Sequence, residues 1–317
     1  MPDPGNHQHP RPSVKLPTRR LNNPLSPETV EDRYAELCVT TNFTFLTGAS
    51  HPEEYMVRAT ELGLKAIAIT DTNSLAGVVR AFSARKVLIQ EAQERGEAIR
   101  LPRLIVGARL VLEDSEVDWV ALPTDRKAYE RLTRLLTLGR RRTEKGACLL
   151  YRNDLVEWGK GMMLIALVPR HGMRREQILP ELSHVTRHFP HMCFLGAAPN
   201  YDGRDRRRFD QLALLARLAC IPIVAAGDVL MHTSRRRMLA DVLTCLRLGI
   251  KIDQIGCNAL ANSERRLKGY DDMARLFLHH PGAIRRTLEI AARCTFDLEE
   301  LSYEYPDEIS GNEPPQD

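Results

Sequence analysis

Short apolar runs alternate with amphipathic segments along most of this 317-residue chain. After a first strand, ELCVT (36–40), the runs are nearly continuous, which is the pattern of parallel strands covered on both faces. They are KAIAIT (65–70), MMLIALV (162–168), MCFLGAA (192–198) and PIVAA (222–226). Segments between them, such as FDQLALLARLA, repeat apolar residues every three or four positions, as a helix with one buried face does. RLIVGARLVLE and VDWVALP predict a β-hairpin around Asp114 and Ser115.

The alternation amounts to about seven strands with helical crossovers, which predicts an α/β fold built on a mainly parallel sheet or barrel. Functional side chains of such a fold lie at the carboxyl ends of its strands. From about Met238 onward the apolar spacing is helical only. The chain therefore divides into four parts. They are a proline-rich disordered arm (1–33), a barrel (34–237), a helical extension (238–301) and an acidic tail (302–317).

Capping residues predict where the first helices begin and end. Ser50 with Glu53 three positions later has the form of a capping box, and Gly63 is placed to end that helix. A long second helix is expected from about Ser74 to a stop at Gly96. Thr124 is the expected N-cap of the third helix.

Composition places the chain among ordinary globular proteins of the cytoplasm. Hydrophobic residues make up 43% and charged residues 27%, and the net charge of +4 alone says little about partners. Seven scattered cysteines without a C-x-x-C pair indicate reduced thiols rather than a disulfide framework. Neither a membrane-spanning apolar run nor a signal peptide is visible, so we expect a cytoplasmic protein that does not contact a membrane.

The polar residues at the strand ends are the candidates for chemistry. In chain order they are Cys38 and Thr40, Asp71 and Thr72, Arg109, and then Asp228, Leu230 and His232 in GDVLMH. This layout resembles the polymerase-and-histidinol-phosphatase (PHP) domain at the amino terminus of bacterial C-family DNA polymerases, in particular their error-prone, damage-inducible branch. NFTFLTGASHPEE, LGLKAIAITDTNSLAGVVRAF and MARLFLHHPGAIRRTLEIAARCTFDLEELSYEYPDE are among the collinear segments that carry the resemblance. The resemblance implies a distorted (β/α)7 barrel that binds up to three metal ions.

Several positions depart from the family pattern. Cys38, Thr40, Thr72 and Leu230 stand where metal-binding histidines are expected, and Arg109 replaces a glutamate. Because a cation repels bound metal, we predict that Arg109 forms a buried ion pair with Asp71 or Asp228. No cofactor is expected. The alternative is residual Zn²⁺ on Cys38 with Asp71, Asp228 or His232, or residual Mn²⁺ or Mg²⁺.

Clusters of arginine are candidates for contact with nucleic acid, because guanidinium groups bind phosphates without sequence selectivity. The candidates are Arg140, Arg141, Arg142, Arg206, Arg207 and Arg208. Since no aromatic residues interleave with them, base stacking is not indicated. Solvated helix faces, or docking sites for other parts of a polymerase, are the alternative interpretation.

The resemblance also implies a function. Family members continue beyond the YEYPDE segment into palm, fingers and thumb, whereas this chain ends nine residues after Glu308 and contains no Asp-x-Asp motif. We therefore expect a non-catalytic scaffold that belongs to a polymerase for damage-induced translesion synthesis. Its expected partners are the rest of that polymerase, damage-response accessory proteins, or DNA. The alternatives are a metal-dependent phosphoesterase or 3′–5′ proofreading nuclease with a rearranged site, and a relic protein with no partner.

Overall fold

The computed structural model describes residues 34–301, and the predicted arm (1–33) and acidic tail (302–317) lie outside the described residues. Seven strands form one sheet, in the order in which they occur along the chain. They are β1 Ala35–Val39, β2 Ala66–Thr72, β3 Arg103–Leu110, β4 Asp118–Pro123, β5 Met162–Leu167, β6 Cys193–Ala197 and β7 Ile223–Ala225. The predicted strands are therefore present, with ends that shift by up to three residues.

The sheet curls so that its last strand returns toward its first. Neighbouring strands are parallel except for β4, which is antiparallel to both β3 and β5. A parallel bridge between Val39 and Val229 links the end of β1 to the segment after β7. The α/β barrel prediction is confirmed, including the hairpin of β3 and β4. The hairpin also means that the strict β/α alternation is broken once, and the start of β4 lies beside the ends of its parallel neighbours.

Nine α-helices lie within the described range 34–301. They are α1 Pro52–Glu61, α2 Ala76–Arg95, α3 Arg126–Arg141, α4 Arg152–Trp158, α5 Arg175–Thr186, α6 Asp205–Leu218, α7 Arg237–Leu248, α8 Tyr270–Leu276 and α9 Pro281–Arg293. The capping predictions for α1 and α3 were wrong by one residue, since the N-caps are His51 and Asp125. The Asp125 carboxylate is a stronger acceptor for the free N–H groups of α3 than the expected threonine, whereas Ser50 is bonded to His232.

Two apolar layers sandwich the sheet, because successive side chains of a strand point to opposite faces. In β2, Ile67 and Ile69 join the layer beneath the surrounding helices, whereas Ala66 and Ala68 join the barrel interior. The interior layer also takes in Ile290 and Cys294 from the end of α9. Hydrogen bonds hold α9 against β1 and β7, the first of them from the Ala35 N–H to Thr287 Oγ1 at 3.2 Å.

The region after Met238 contributes to the barrel as well as extending it. Arg286 of α9 donates to the carbonyl of Ile223 at 3.1 Å, at the amino end of β7. α9 therefore covers the end of the barrel opposite the carboxyl ends of the strands. Among residues 34–301, no helix combines the length and the apolar character needed to cross a membrane.

Candidate functional site

The carboxyl ends of the parallel strands and the amino end of β4 surround a cavity of about 410 Å³, which we call the mouth. Charged residues from five separate segments line it. They are Arg109 at the end of β3, Glu116 and Asp118 around the start of β4, Arg170 after β5, Asp228 after β7, and Arg265 in the loop before α8. The mouth is thus the place where the fold brings strand-end residues together.

Three arginines bind the buried carboxylate of Asp228. Arg109 Nη1 lies 2.9 Å from Asp228 Oδ1, and Arg170 Nη2 and Arg265 Nη2 lie 2.5 and 2.6 Å from Oδ2. Only 5% of the Asp228 side chain is exposed, against 17–22% of the three arginine side chains. Both carboxylate oxygens are therefore occupied by charge-assisted hydrogen bonds, which are stronger than neutral ones.

Local backbone geometry positions Asp228 for these contacts. Its φ of 46° lies in the left-handed region that aspartate tolerates better than most residues. Gly227 comes just before it, and a Cβ there would collide with the Glu36 carboxylate. Arg265 also donates from Nε to the Asp228 carbonyl at 3.0 Å, so the same guanidinium holds the backbone and the side chain.

The charged groups of the mouth shift one another's pKa values. Burial acts to raise the pKa of Asp228, but Arg265, Arg109 and Arg170 together hold this pKa well below its ordinary range. Burial acts to lower the pKa of Arg109, and Asp228 and Asp118 reverse that effect. For Arg265, burial and repulsion by Arg170 and Arg109 outweigh the attraction of Asp228 and lower the pKa to about 10. Arg109, Arg265 and Asp228 are accordingly charged at neutral pH.

Arg109 forms the predicted ion pair with Asp228, one of the two carboxylates that the sequence offered. It also donates from Nε to Asp118 Oδ2 at 2.9 Å. The sequence analysis missed Asp118 because it followed only the carboxyl ends of strands, whereas Asp118 begins the antiparallel strand β4. It also missed Arg170, although the position of this residue three places after β5 is a strand-end signal. Arg265 lies in a loop without periodic spacing, so the sequence held no comparable signal for it.

Asp71 is bound by threonines of the β1–α1 loop rather than by a cation. Its Oδ1 accepts from the Thr41 N–H and the Thr44 hydroxyl, each at 2.8 Å, and its Oδ2 accepts from the Thr41 hydroxyl at 2.7 Å. Burial raises the pKa of Asp71, and these hydrogen bonds oppose the rise. Gly77 at the start of α2 packs so closely that a Cβ there would collide with Asp71 Oδ2. The Asp71 carboxylate therefore holds the β1–α1 loop in place through hydrogen bonds.

His232 and Cys38 have local roles as well. His232 Nδ1 lies 2.8 Å from Ser50 Oγ and 3.7 Å from Glu54 Oε2, and burial lowers the pKa of the imidazole. Cys38 is 3% exposed and belongs to the barrel interior. Burial, with the nearby Asp228 charge, raises the pKa of the Cys38 thiol well above its ordinary value, which disfavours the thiolate that binds metals.

The four residues considered as remnant ligands do not fit a metal centre. Both oxygens of Asp228 are bonded to guanidinium groups, and both oxygens of Asp71 accept from threonines. Across residues 34–301, no cluster of three or more His, Cys, Asp or Glu has a geometry that could hold a metal ion. A divalent cation at Asp228 would also have to displace three fixed positive charges, which oppose it electrostatically.

Glu36 is a buried carboxyl behind the mouth that the sequence analysis did not single out. Its Oε1 accepts from the N–H groups of Cys38 and Gly227 at 3.0 and 3.1 Å, and its Oε2 accepts from the Tyr34 hydroxyl at 2.6 Å. Burial raises its pKa from the ordinary 4.5 to about 7, against the pull of these hydrogen bonds. The folded chain therefore keeps the Glu36 proton over a pH range in which the unfolded chain has lost it.

Replacement of Glu36 by glutamine should flatten part of the pH dependence of stability. Between about pH 4.5 and about pH 7 the folded protein binds the extra proton, so the free energy of unfolding of the wild type falls as pH rises. The glutamine oxygen can keep both backbone hydrogen bonds without a charge. Glu36→Gln should be more stable than wild type above pH 7 by about 1–3 kcal/mol, a gap that closes toward pH 4.5. Urea titrations across this range measure the gap, and a gap that widens toward acid would contradict the assignment.

The arginine clusters are only partly available to a nucleic acid. Arg208 is buried and donates from Nε to the Ala198 carbonyl at 2.8 Å. Arg142 binds the Asp154 carboxylate through both terminal nitrogens, at 2.5 and 2.8 Å. Arg140 donates to the Asn73 carbonyl at 3.1 Å. Arg208 is therefore not placed to contact a phosphate, whereas Arg141, Arg206 and Arg207 are exposed.

Comparison with known proteins defines the class to which this barrel belongs. The PHP domain family matches residues 36–186, which contain most of β1 and all of β2 to β5. A solved structure, an amidohydrolase from Chromobacterium violaceum, aligns with 62% of this chain and 87% of its own at 16% identity, with a TM-score of 0.44. Residues 36–186 of the chain therefore form a PHP domain.

Full-length relatives share this segment. The error-prone DNA polymerase of Ruegeria pomeroyi is 59% identical over 308 residues, which cover 89% of this chain and 28% of the relative. That of Rhodopseudomonas palustris is 46% identical over 277 residues, which cover 87% of this chain and 24% of the relative. The chain is homologous to error-prone DNA polymerases and spans about a quarter of the length of the curated relatives it matches. The resemblance noted in the sequence is thereby confirmed.

Proposed function

We propose that this chain serves as the non-catalytic PHP scaffold of an error-prone DNA polymerase that acts in damage-induced translesion synthesis. The observation that carries the proposal is the engagement of Asp228 by Arg109, Arg170 and Arg265. A phosphoesterase of this fold needs free carboxylates and imidazoles at the mouth to hold two or more cations and to generate hydroxide. Here the central carboxylate is saturated by cationic side chains, so the mouth supports structure instead.

The sharing of the segment with complete polymerases supports the scaffold role. The match to the Ruegeria pomeroyi enzyme covers nearly the whole described range, whereas most of that enzyme lies outside the match. A packed barrel can support a neighbouring domain without chemistry of its own. The exposed Arg141, Arg206 and Arg207 are the surface positions from which this scaffold would contact the DNA backbone.

A full-length chimera tests the proposal. The segment of the Ruegeria pomeroyi polymerase that matches this chain is replaced by this chain, and primer extension is measured on undamaged and abasic templates. We expect the chimera to extend primers on both. The change Cys38→Ala removes one remnant ligand and should leave extension unchanged, because the thiol lies in the apolar interior.

A hydrolysis assay with the isolated chain tests the alternative of a metal-dependent phosphoesterase or proofreading nuclease. The chain is incubated with a 3′-labelled oligonucleotide and Mn²⁺ or Zn²⁺, and we expect no cleavage. Metal-dependent release of the 3′ nucleotide that is lost in both Cys38→Ala and His232→Gln would contradict the scaffold proposal and favour the enzyme.

A further inference from the structure

The helix α7 exposes large apolar side chains along one face. The exposed fractions are 80% for Met238, 38% for Leu239, 44% for Val242 and 61% for Leu246. Their spacing of one, four and eight positions from Met238 places them within an arc of about 100° on the helix. A contiguous row of this kind is uncommon on a soluble surface and marks an interaction site.

The loop between β1 and α1 extends this row. Phe45 is 81% exposed, and a groove of about 220 Å³ runs between Phe45 with Leu46 on one side and Leu239 with Leu243 on the other. Arg247 fixes the loop against α7 by donating to Thr47 Oγ1 at 2.9 Å. We call Phe45, Met238, Leu239, Val242 and Leu246 the α7 apolar face.

The opposite side of α7 is packed against the barrel. The exposed row is therefore not a face that the helix would bury by packing onto the barrel. Ala240 and Thr244 are buried, and Ala240 forms a small core with Ala49 and Met231, against which Leu243 packs. Small residues and the partly buried Leu243 thus anchor the helix to the barrel, whereas Met238, Val242 and Leu246 point outward. This division is the reverse of the usual preference for large apolar residues in the core.

We propose that the α7 apolar face is the docking surface for the polymerase portion, by which we mean the part of the full-length relatives that lies outside their match to this chain. This inference rests on the proposed scaffold function. The match to Ruegeria pomeroyi covers 89% of this chain and only 28% of the relative. A match that covers 89% of 317 residues must extend across α7. The helix therefore belongs to the segment that complete polymerases share, and about three quarters of the relative is available to cover it.

The charges at the ends of α7 indicate the charge of the segment that docks on the α7 apolar face. Arg235 precedes the helix, Arg247 lies in its last turn and Lys251 follows it, and all three are exposed. A basic rim around an apolar centre fits a partner segment with apolar anchors flanked by Asp or Glu. The occupant is therefore an amphipathic segment of the polymerase portion with acidic flanks.

Charge insertion into the α7 apolar face tests this inference. In the isolated chain, Leu246→Glu should leave the urea midpoint unchanged, because the side chain is already 61% exposed. In the chimera, the same change should lower the rate of primer extension or the half-life of the enzyme at least about tenfold, as the loss of a central interface anchor does. The matched control is Leu214→Glu on α6, which is 41% exposed and lies outside the α7 apolar face. This control should behave like the unsubstituted chimera.

Photo-crosslinking identifies the occupant directly. The chimera carries p-benzoylphenylalanine at position 246 or, as a control, at position 214, and the cross-linked peptides are sequenced by mass spectrometry. We expect position 246 to cross-link to an acidic, apolar segment of the polymerase portion within the same molecule. Cross-links between two copies, or no cross-link at position 246, would overturn the inference.

The scaffold function and the docking inference are overturned by different results. A chimera that cannot extend primers before any substitution overturns the scaffold function, and the docking inference falls with it. An active chimera that is indifferent to Leu246→Glu overturns the docking inference alone.

Discussion

The variant Asp228→Asn should lose about 3–5 kcal/mol of unfolding free energy, the largest effect expected at the mouth. Asparagine keeps the shape of the side chain and tolerates the left-handed φ of 46°, so the change removes mainly the charge. Three guanidinium groups then face one another without their common counterion, and each has 22% or less of its side chain exposed. Urea denaturation followed by the fluorescence of the buried Trp119 measures the loss.

Two further variants separate charge from shape at this position. Asp118→Asn removes the carboxylate that binds only Arg109 and is 30% exposed, so it should cost no more than about 1 kcal/mol. The double variant Arg265→Met, Asp228→Asn should recover part of the stability, because one uncompensated charge is removed. If Asp228→Asn is as stable as wild type, the arginines do not depend on this carboxylate and the account of the mouth is wrong.

The variant Arg208→Met should lose about 2–4 kcal/mol, because it leaves buried carbonyl groups without donors. Arg208 is 8% exposed, and its guanidinium donates to the Ala198 carbonyl at 2.8 Å and the Arg170 carbonyl at 3.1 Å. It also reaches the Pro169 carbonyl at 3.4 Å. These bonds fix the loops after β5 and β6, and the first of these loops carries Arg170 to the mouth. Methionine keeps most of the apolar stem, so the lost bonds dominate.

The neighbouring Arg207→Met is the matched control for Arg208→Met. Arg207 is exposed on the same helix, so its replacement should change the free energy of unfolding by no more than about 0.5 kcal/mol. Equal losses in the two variants, measured by the same urea titration, would show that Arg208 is not the structural member of the cluster.

Much of the fold could be predicted because its strands are buried on both faces. The continuous apolar runs of β2, β5, β6 and β7 reveal such strands directly, and each lies within two residues of its predicted ends. Helix starts were less accurate. The sequence before α3 offers two adjacent capping residues, Thr124 and Asp125, and the structure uses Asp125. At α1 the N-cap is His51 and not Ser50. The local pattern contained no sign that Ser50 would instead bond to His232 across 182 positions.

The site was predictable only where its residues follow strands. Arg109 and Asp228 stand at strand ends, and their pairing follows from the burial of opposite charges in one place. Arg265 approaches from a loop beyond the barrel, so only tertiary contacts could place it. Asp71 and His232 looked equivalent to Asp228 in the sequence, but the loop threonines and Ser50 bind them instead.

The positive charge around Asp228 comes from arginine side chains of the chain itself and not from bound metal ions. Three guanidinium groups surround a single deeply buried carboxylate, and Arg109 shares a second one with Asp118. Because the chain itself supplies these charges, the carboxylate is neutralised at every metal concentration. Buried ion pairs add little net stability over an apolar core, but they are costly to break. The mouth is therefore expected to tolerate changes at the rim and to resist loss of Asp228.

Titration with manganese tests whether guanidinium groups take the place of metal ions at the mouth. The purified chain is titrated with Mn²⁺ at neutral pH, and free Mn²⁺ is measured by electron paramagnetic resonance. We expect the signal of free Mn²⁺ to match that of buffer at every point of the titration, because guanidinium groups already occupy the Asp228 carboxylate. Tight binding of two or more Mn²⁺ ions per chain, abolished by Asp228→Asn under conditions where that variant is folded, would contradict the account.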